Sequence, residues 1–185
     1  MCRAQRLEPC AFDALIEHYA HKLYGFLCRI TGKPHDAEDL VQEVFLRMVR
    51  TIRDYQPTGS FDAWVFQIAV NLARDRIRRA RRTPTTNSLE MLEDRGGTLG
   101  SRPAEPPDPA TPAPDEPLRL AEDVDRLQHA LMKLSEPERE VIMLRHYGQM
   151  SFAEIAKLMG TPLGTALARA HRGLAKLRGW MESSS

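Results

Sequence analysis

An all-α protein built from two small helical domains is the fold class this sequence predicts, and three observations predict it. Apolar residues make up 42% of the 185-residue chain while Phe, Trp and Tyr make up only 6%, a composition suited to small cores of Leu, Ile, Val, Met and Ala rather than to a large sandwich or barrel. On both sides of the chain's middle those apolar residues recur at three- and four-residue steps, the period of a helix with one buried face. The middle itself, PAEPPDPATPAPDEP from Pro103 to Pro117, holds seven prolines in fifteen residues. Proline lacks the N–H donor that helix and sheet need, and the segment offers almost nothing large and apolar to bury. The expected division is a helical domain over 9–82, an extended acidic linker over 83–118 and a second helical domain over 119–182.

In the first domain, Phe12, Leu15, Ile16, Tyr19, Leu23, Phe26, Leu27 and Ile30 mark one stripe of a helix that Gly32 and Pro34 end. A second helix follows in DAEDLVQEVFLRMVRTI, with Leu40, Val41, Val44, Phe45, Met48, Val49 and Ile52 inside and Asp39, Gln42, Glu43, Arg47 and Arg50 outside. The turn YQPTGS leads into a third helix at Phe61, with Ser60 as N-cap and Trp64, Val65, Ile68 and Leu72 as its buried stripe. That helix ends in DRIRRARR, five arginines in eight residues.

The second domain is punctuated more sharply. In LSEPERE, Ser135 is an N-cap, Pro137 stands in the first turn and Glu138 closes a capping box; the helix runs on through VIMLRHY and stops at Gly148. SFAE repeats the capping box at Ser151 and Glu154 ahead of FAEIAKLM. Gly160 makes a turn, Thr161 caps, and Pro162 begins the last helix, whose expected buried stripe is Leu163, Ala166, Leu167, Ala170, Leu174 and Leu177. Its other face carries Thr165, Ala168, Arg169, Arg172 and Lys176, with His171 at the edge. Two helices joined by a short glycine turn, the second one basic, form the helix-turn-helix pattern.

Charge separates along the chain. Residues 1–82 carry 14 Lys/Arg against 10 Asp/Glu, residues 83–118 carry 2 against 7, and residues 119–185 carry 10 against 8. Two basic ends make nucleic acid a candidate partner. Enzyme chemistry finds no foothold: there is no glycine-rich phosphate loop, no G-x-S-x-G and no paired His/carboxylate constellation. His18 and His21 lack a matching pair, and Cys2, Cys10 and Cys28 lack C-x-x-C spacing, so neither a metal nor a cofactor is expected. The absence of a long apolar run and of a secretion signal predicts a cytoplasmic protein without membrane insertion.

DAEDLVQEVFLR (36–47), FDAWVFQIAVNLARDRIRR (61–79) and LSEPEREVIMLRHYGQMSFAEIAKLMGTPLGT (134–165), in that order, resemble the extracytoplasmic-function (ECF) sigma factors of the sigma-70 family. The resemblance implies sigma region 2 at the N-terminus and sigma region 4 at the C-terminus, with core RNA polymerase (its β′ clamp and β flap) and promoter DNA as partners. It casts Asp39, Leu40, Gln42 and Glu43 as the clamp contact. It makes Asn71, Arg74, Arg78, Arg79, Arg81 and Arg82 the −10 contacts, places capture of a flipped base in the loop 55–60, and makes Thr165, Arg169, His171, Arg172 and Lys176 the −35 contacts. An anti-sigma factor, able to hold the protein at the membrane, is the implied regulator. Relatives usually read VGTVKSRLHRAR where this chain reads LGTALARAHRGL. Leu167 and Leu174 therefore stand where a lysine and an arginine are common, and Ala168 stands for a serine. Two other readings compete: a sigma-like decoy that binds an anti-sigma factor without initiating transcription, and a stand-alone helix-turn-helix regulator.

Overall fold

The computed structural model describes residues 9–56, 60–82 and 116–183. The described residues form seven α-helices and one 3-10 turn, with no strand. The first domain holds α1 (Pro9–Thr31), α2 (Pro34–Thr51), the 3-10 turn Ile52–Asp54, and α3 (Phe61–Arg82). The second holds α4 (Glu116–Lys133), α5 (Glu136–His146), α6 (Phe152–Met159) and α7 (Leu163–Glu182). The expected linker falls outside the described residues, apart from 116–118, which already belong to α4.

Helix ends follow the local chemistry of the sequence. Gly32 takes φ +76° after α1, a conformation open to glycine at no steric cost. Ser60 Oγ accepts the Ala63 N–H at 3.0 Å and starts α3. Ahead of α6, Ser151 Oγ accepts the Glu154 N–H at 3.3 Å while the Glu154 carboxylate accepts the Ser151 N–H at 2.8 Å, the reciprocal capping box. Gly160 at φ +61° closes α6, its N–H on Lys157 O at 3.2 Å. α5 ends at His146, short of Gly148, and Gln149 takes the left-handed conformation (φ 49°) beyond it. Gly148 is a packing glycine, whose added Cβ would lie 2.8 Å from Leu144 O and 3.3 Å from Phe66. One cap differs from expectation. The N-cap of α7 is Pro162 rather than Thr161, and it makes no side-chain cap.

Buried stripes give the larger corrections. In α3 the buried residues are Val65, Phe66, Ala69, Val70 and Ala73, so the stripe is turned by about one residue, or 100°, from the expected one; Trp64, Ile68 and Leu72 lie at its flank, half-buried. In α7 the buried residues are Ala166, Ala170, Gly173 and Leu177. Leu163, Leu167 and Leu174, expected inside, are 48%, 44% and 53% exposed. The cause is the same in both helices: small residues at the contact let a neighbouring helix approach closely. That narrows the buried arc and leaves long side chains on its shoulders. At Gly173 an added Cβ would come within 2.7 Å of Ile142 Cδ1 on α5.

The two domains pack against each other through α5, which is buried over seven consecutive residues from Glu138 to Leu144. One side of it meets α7 and the other meets the first domain. There Tyr147 sits edge-on to Phe26 at 6.5 Å, and Phe26 in turn meets Phe66 edge-on at 5.2 Å, a geometry worth about 0.5–1.5 kcal/mol beyond area burial. Gln128 bridges the same seam, donating to Cys28 O at 3.1 Å and accepting from Arg29 at 3.0 Å.

Candidate nucleic-acid interface

At 100° per residue, Gln67, Asn71, Arg74, Arg78, Arg81 and Arg82 fall on one exposed-side arc of α3 about 100° wide. Asn71, Arg78, Arg79, Arg81 and Arg82 are exposed, and Arg74 is half-buried. Their guanidinium groups are not equivalent. Arg76 faces the other way and ties α3 to α2, 2.8 Å from Asp36 and 3.5 Å from Asp39. Arg78 pairs with Asp75 on its own helix. Arg74 donates from Nε (2.8 Å) and Nη2 (2.6 Å) to both carboxylate oxygens of Glu140 in the second domain, and this hydrogen-bonded pairing raises its pKa above the ordinary arginine value. Arg81 pairs with Glu136, one turn before Glu140.

Beside this arc lies a cavity of about 290 Å³ between the domains, lined by Tyr55, Gln56, Ser60, Trp64 and Gln67 on one side and by Met150, Glu154 and Lys157 on the other. Trp64 is part of an aromatic nest, 4.9 Å from Tyr55 and 5.2 Å from Phe61, and Tyr19 closes the nest with a 2.7 Å hydrogen bond to Asp62. Trp64 thus serves the core with one part of its ring and the cavity with another. Gln67 did not stand out in the sequence; its spacing of four from Asn71 was the available signal. Residues 57–59 of the expected base-capture loop lie outside the described residues.

On the α2 face, Asp39, Gln42 and Glu43 are exposed and line a shallow depression of about 360 Å³ with Leu46, Arg47 and Arg50. Leu40, expected among the contacts, is 1% exposed and belongs to the core. The apolar side chain actually presented is Leu46, 57% exposed. At 100° per residue Leu40 lies about 100° from Asp39 and about 160° from Gln42, on the buried arc of α2 with Ala37, Val44 and Met48.

On α7, Thr165, Arg169, Arg172 and Lys176 share an arc of about 60°. Lys176 Nζ donates to both Glu138 oxygens at 2.9 Å, and Arg172 Nε stands 3.8 Å from the same carboxylate. The Lys176 ammonium, together with Ser135, holds the Glu138 carboxyl below the usual carboxylate range. Among the described residues Arg169 has no ion-pair partner, and it is half-buried. His171 is exposed but lies off this arc, toward the exposed leucines. The exposed line between is Gly164, His171 and Ala175.

A bundle with a basic helix face, joined in one chain to a helix-turn-helix domain, defines a bipartite nucleic-acid-binding protein. The family described as "Sigma-70 region 2" matches residues 15–83 and "Sigma-70, region 4" matches residues 125–177. The chain is 35% identical over 175 residues to the ECF RNA polymerase sigma factor SigE of Mycolicibacterium smegmatis, covering 95% of this chain and 63% of that protein. It is 30% identical over 168 residues to the ECF RNA polymerase sigma factor SigW of Bacillus subtilis, covering 91% of this chain and 87% of that one. In fold it is similar to the sigma factor RpoE of Bartonella quintana, solved in complex with the anti-sigma factor NepR, with a TM-score of 0.67 and 22% identity over 93% of this chain and 97% of that one. The chain belongs to the sigma-70 family, among its ECF RNA polymerase sigma factors. It is an alternative sigma factor of promoter-specific transcription initiation.

Proposed function

We propose that the α2 face of Asp39, Gln42 and Glu43, with Leu46 in place of the buried Leu40, is the dock for the clamp of core RNA polymerase, and that the arc of α3 reads and holds the −10 element. The observation that carries this reading is the separation of jobs on α3. Arg76 turns toward α2 and holds the domain together, while Asn71, Arg74, Arg78 and Arg82 share the outer arc, where arginines grip phosphates and an amide meets a base. Region 2 then corresponds to 9–82, the linker to 83–118 and region 4 to 119–182.

On α7, Arg169 is the base-edge reader of the −35 element. Arg172, Lys176 and the Thr165 hydroxyl position the helix on phosphates, with His171 at the rim. Because Lys176 and Arg172 share the Glu138 carboxylate, part of their charge is already compensated, and duplex binding by this helix alone is weak. The β flap of the polymerase and an anti-sigma factor are the further protein partners, and the protein works in the cytoplasm, where an anti-sigma factor at the membrane can hold it. Reconstitution with core polymerase tests the whole reading: promoter-specific run-off transcripts are expected, and Arg169→Ala is expected to cost about 1–3 kcal/mol of promoter affinity and relax preference at one −35 base pair. A chain that binds an anti-sigma factor yet yields no transcript would make it a decoy.

A further inference from the structure

Arg139 of α5 is the buried cation among the described residues, 5% exposed, and its donors are poorly matched. Nη1 reaches Leu131 O at 3.4 Å and Met132 Sδ at 3.2 Å, while Nε meets no acceptor among the described residues. A guanidinium carries five donors and a thioether is a weak acceptor, so this group is left short of hydrogen bonds in a place where they are normally complete. Burial pushes the guanidinium below the ordinary arginine value, and the nearby Glu136 and Glu140 offset only part of that. Met132 is held from a second side as well. At Gly32, where the chain leaves α1 with φ +76°, an added Cβ would lie 2.8 Å from Met132 Cε and 2.9 Å from Sδ. The thioether therefore lies across a bare glycine Cα with one sulfur lone pair turned to Arg139. Met132 is nonetheless 41% exposed, whereas Met48, Met143 and Met150 are buried and Met159 and Met181 are half-buried. It is the exposed methionine among the described residues.

We propose that Met132 is a modification site for peroxides: its thioether takes one oxygen atom as a single sulfoxide epimer, and Arg139 donates to that oxygen. No contact with DNA or polymerase enters this inference. The free lone pair of the sulfur attacks one oxygen of hydrogen peroxide, and the O–O bond breaks as the S–O bond forms. The proton of the transferred oxygen leaves with the departing hydroxide as water, so the sulfur is oxidised by two electrons and the peroxide is reduced by the same two. Because the N–H of Arg139 covers one lone pair, the oxygen enters on the other, which fixes the epimer. Rotation about the flexible methionine side chain then carries the oxygen to the guanidinium. The polar S–O group supplies the acceptor that sulfur itself supplies only weakly.

The test uses the full wild-type chain, folded, in dilute hydrogen peroxide. Peptide mass spectrometry follows the gain of one oxygen at each methionine, and methionine sulfoxide reductases, one enzyme for each epimer, read the stereochemistry on the digested peptide. Met132 is expected to react at least about five-fold faster than Met159 and Met181, and one reductase is expected to consume about nine-tenths of its sulfoxide. Met1 and Met91 lie outside the described residues and do not enter the comparison. Equal rates at Met132, Met159 and Met181 overturn the proposal, and so does an even mixture of epimers, the product of a thioether with both lone pairs free. A second measurement reads the acceptor role without any oxidant. Met132→Gln places an amide oxygen within reach of Arg139, whereas Met132→Leu offers no acceptor, so the glutamine variant is expected to melt at least about 4 °C above the leucine variant. Equal melting, or a more stable leucine variant, would show that Arg139 draws nothing from an oxygen at this position and would overturn its part in the site.

Discussion

Leu40→Ala distinguishes core from dock on a single helix. Leu40 is 1% exposed and among the largest fully buried side chains of the chain, whereas its neighbour Asp39 is 49% exposed at the side chain. Removing three carbons from Leu40 forfeits about 2.4 kcal/mol of transfer free energy at about 0.8 kcal/mol per carbon. The residual cavity brings the loss to about 3–5 kcal/mol, within the range of buried Leu→Ala changes. For a domain of about 70 residues each kcal/mol moves the melting temperature by roughly 4–8 °C, so Leu40→Ala should melt at least about 12 °C below wild type. Asp39→Ala removes a half-exposed carboxylate and a 3.5 Å contact to Arg76, a change of about 1 kcal/mol or less. Circular dichroism melts give the first quantity, and co-purification with core polymerase, carried out below both melting temperatures, gives the second. The expected result is a destabilised Leu40→Ala that still associates when folded. If Leu40→Ala melts within about 3 °C of wild type and yet fails to associate, Leu40 is a contact after all and its burial in the free chain is irrelevant to docking.

Charge reversal on the same face, Asp39→Arg with Glu43→Arg, is expected to abolish association with core polymerase by a cost of several kcal/mol in a desolvated interface, with helicity unchanged; wild-type co-purification would refute the dock. The Glu138–Lys176 pair should make region 4 acid-sensitive. The carboxyl is held below its ordinary value by Lys176, so its stabilisation is complete above about pH 4.3 and is lost as pH falls through the lower folded value. Urea midpoints should therefore drop more steeply on acidification in wild type than in Lys176→Met, and parallel curves would show that the pair carries no linkage. Because Leu167 is 44% exposed and stands on the side of α7 away from Arg169 at 100° per residue, Leu167→Lys should leave both the melting temperature and promoter binding by holoenzyme nearly unchanged, whereas Arg172→Ala should weaken binding and flatten its salt slope by about one unit; titrations at several salt concentrations would expose a failure of either half.

What the sequence determined by itself is local. The caps at Ser60 and Ser151, the stop at Gly32 and the turn at Gly160 depend on residues within four positions of one another, so the chain carries them wherever the helices go. The same locality made the two-domain division and the helix-turn-helix legible, along with three motifs specific enough to name the family. Which arc of each helix is buried was a different matter. In α3 and α7 the close contacts are made by Ala69, Ala73, Ala166, Ala170 and Gly173, residues whose smallness registers weakly in a count of large apolar side chains. The count therefore drifted to the shoulders, toward Trp64 and Leu174, whereas in α2 it placed Leu40 inside, and only the family resemblance cast that residue as a contact. The pairings of Arg74 with Glu140 and Arg81 with Glu136 could not be read at all. A salt bridge across 66 or 55 residues leaves no periodic trace, and each partner alone looks like a solvated charge. Only the packing of α5 against both domains brings those charges within hydrogen-bonding distance, because a helix buried on two sides has nowhere to place its acids except against the cations of its neighbours.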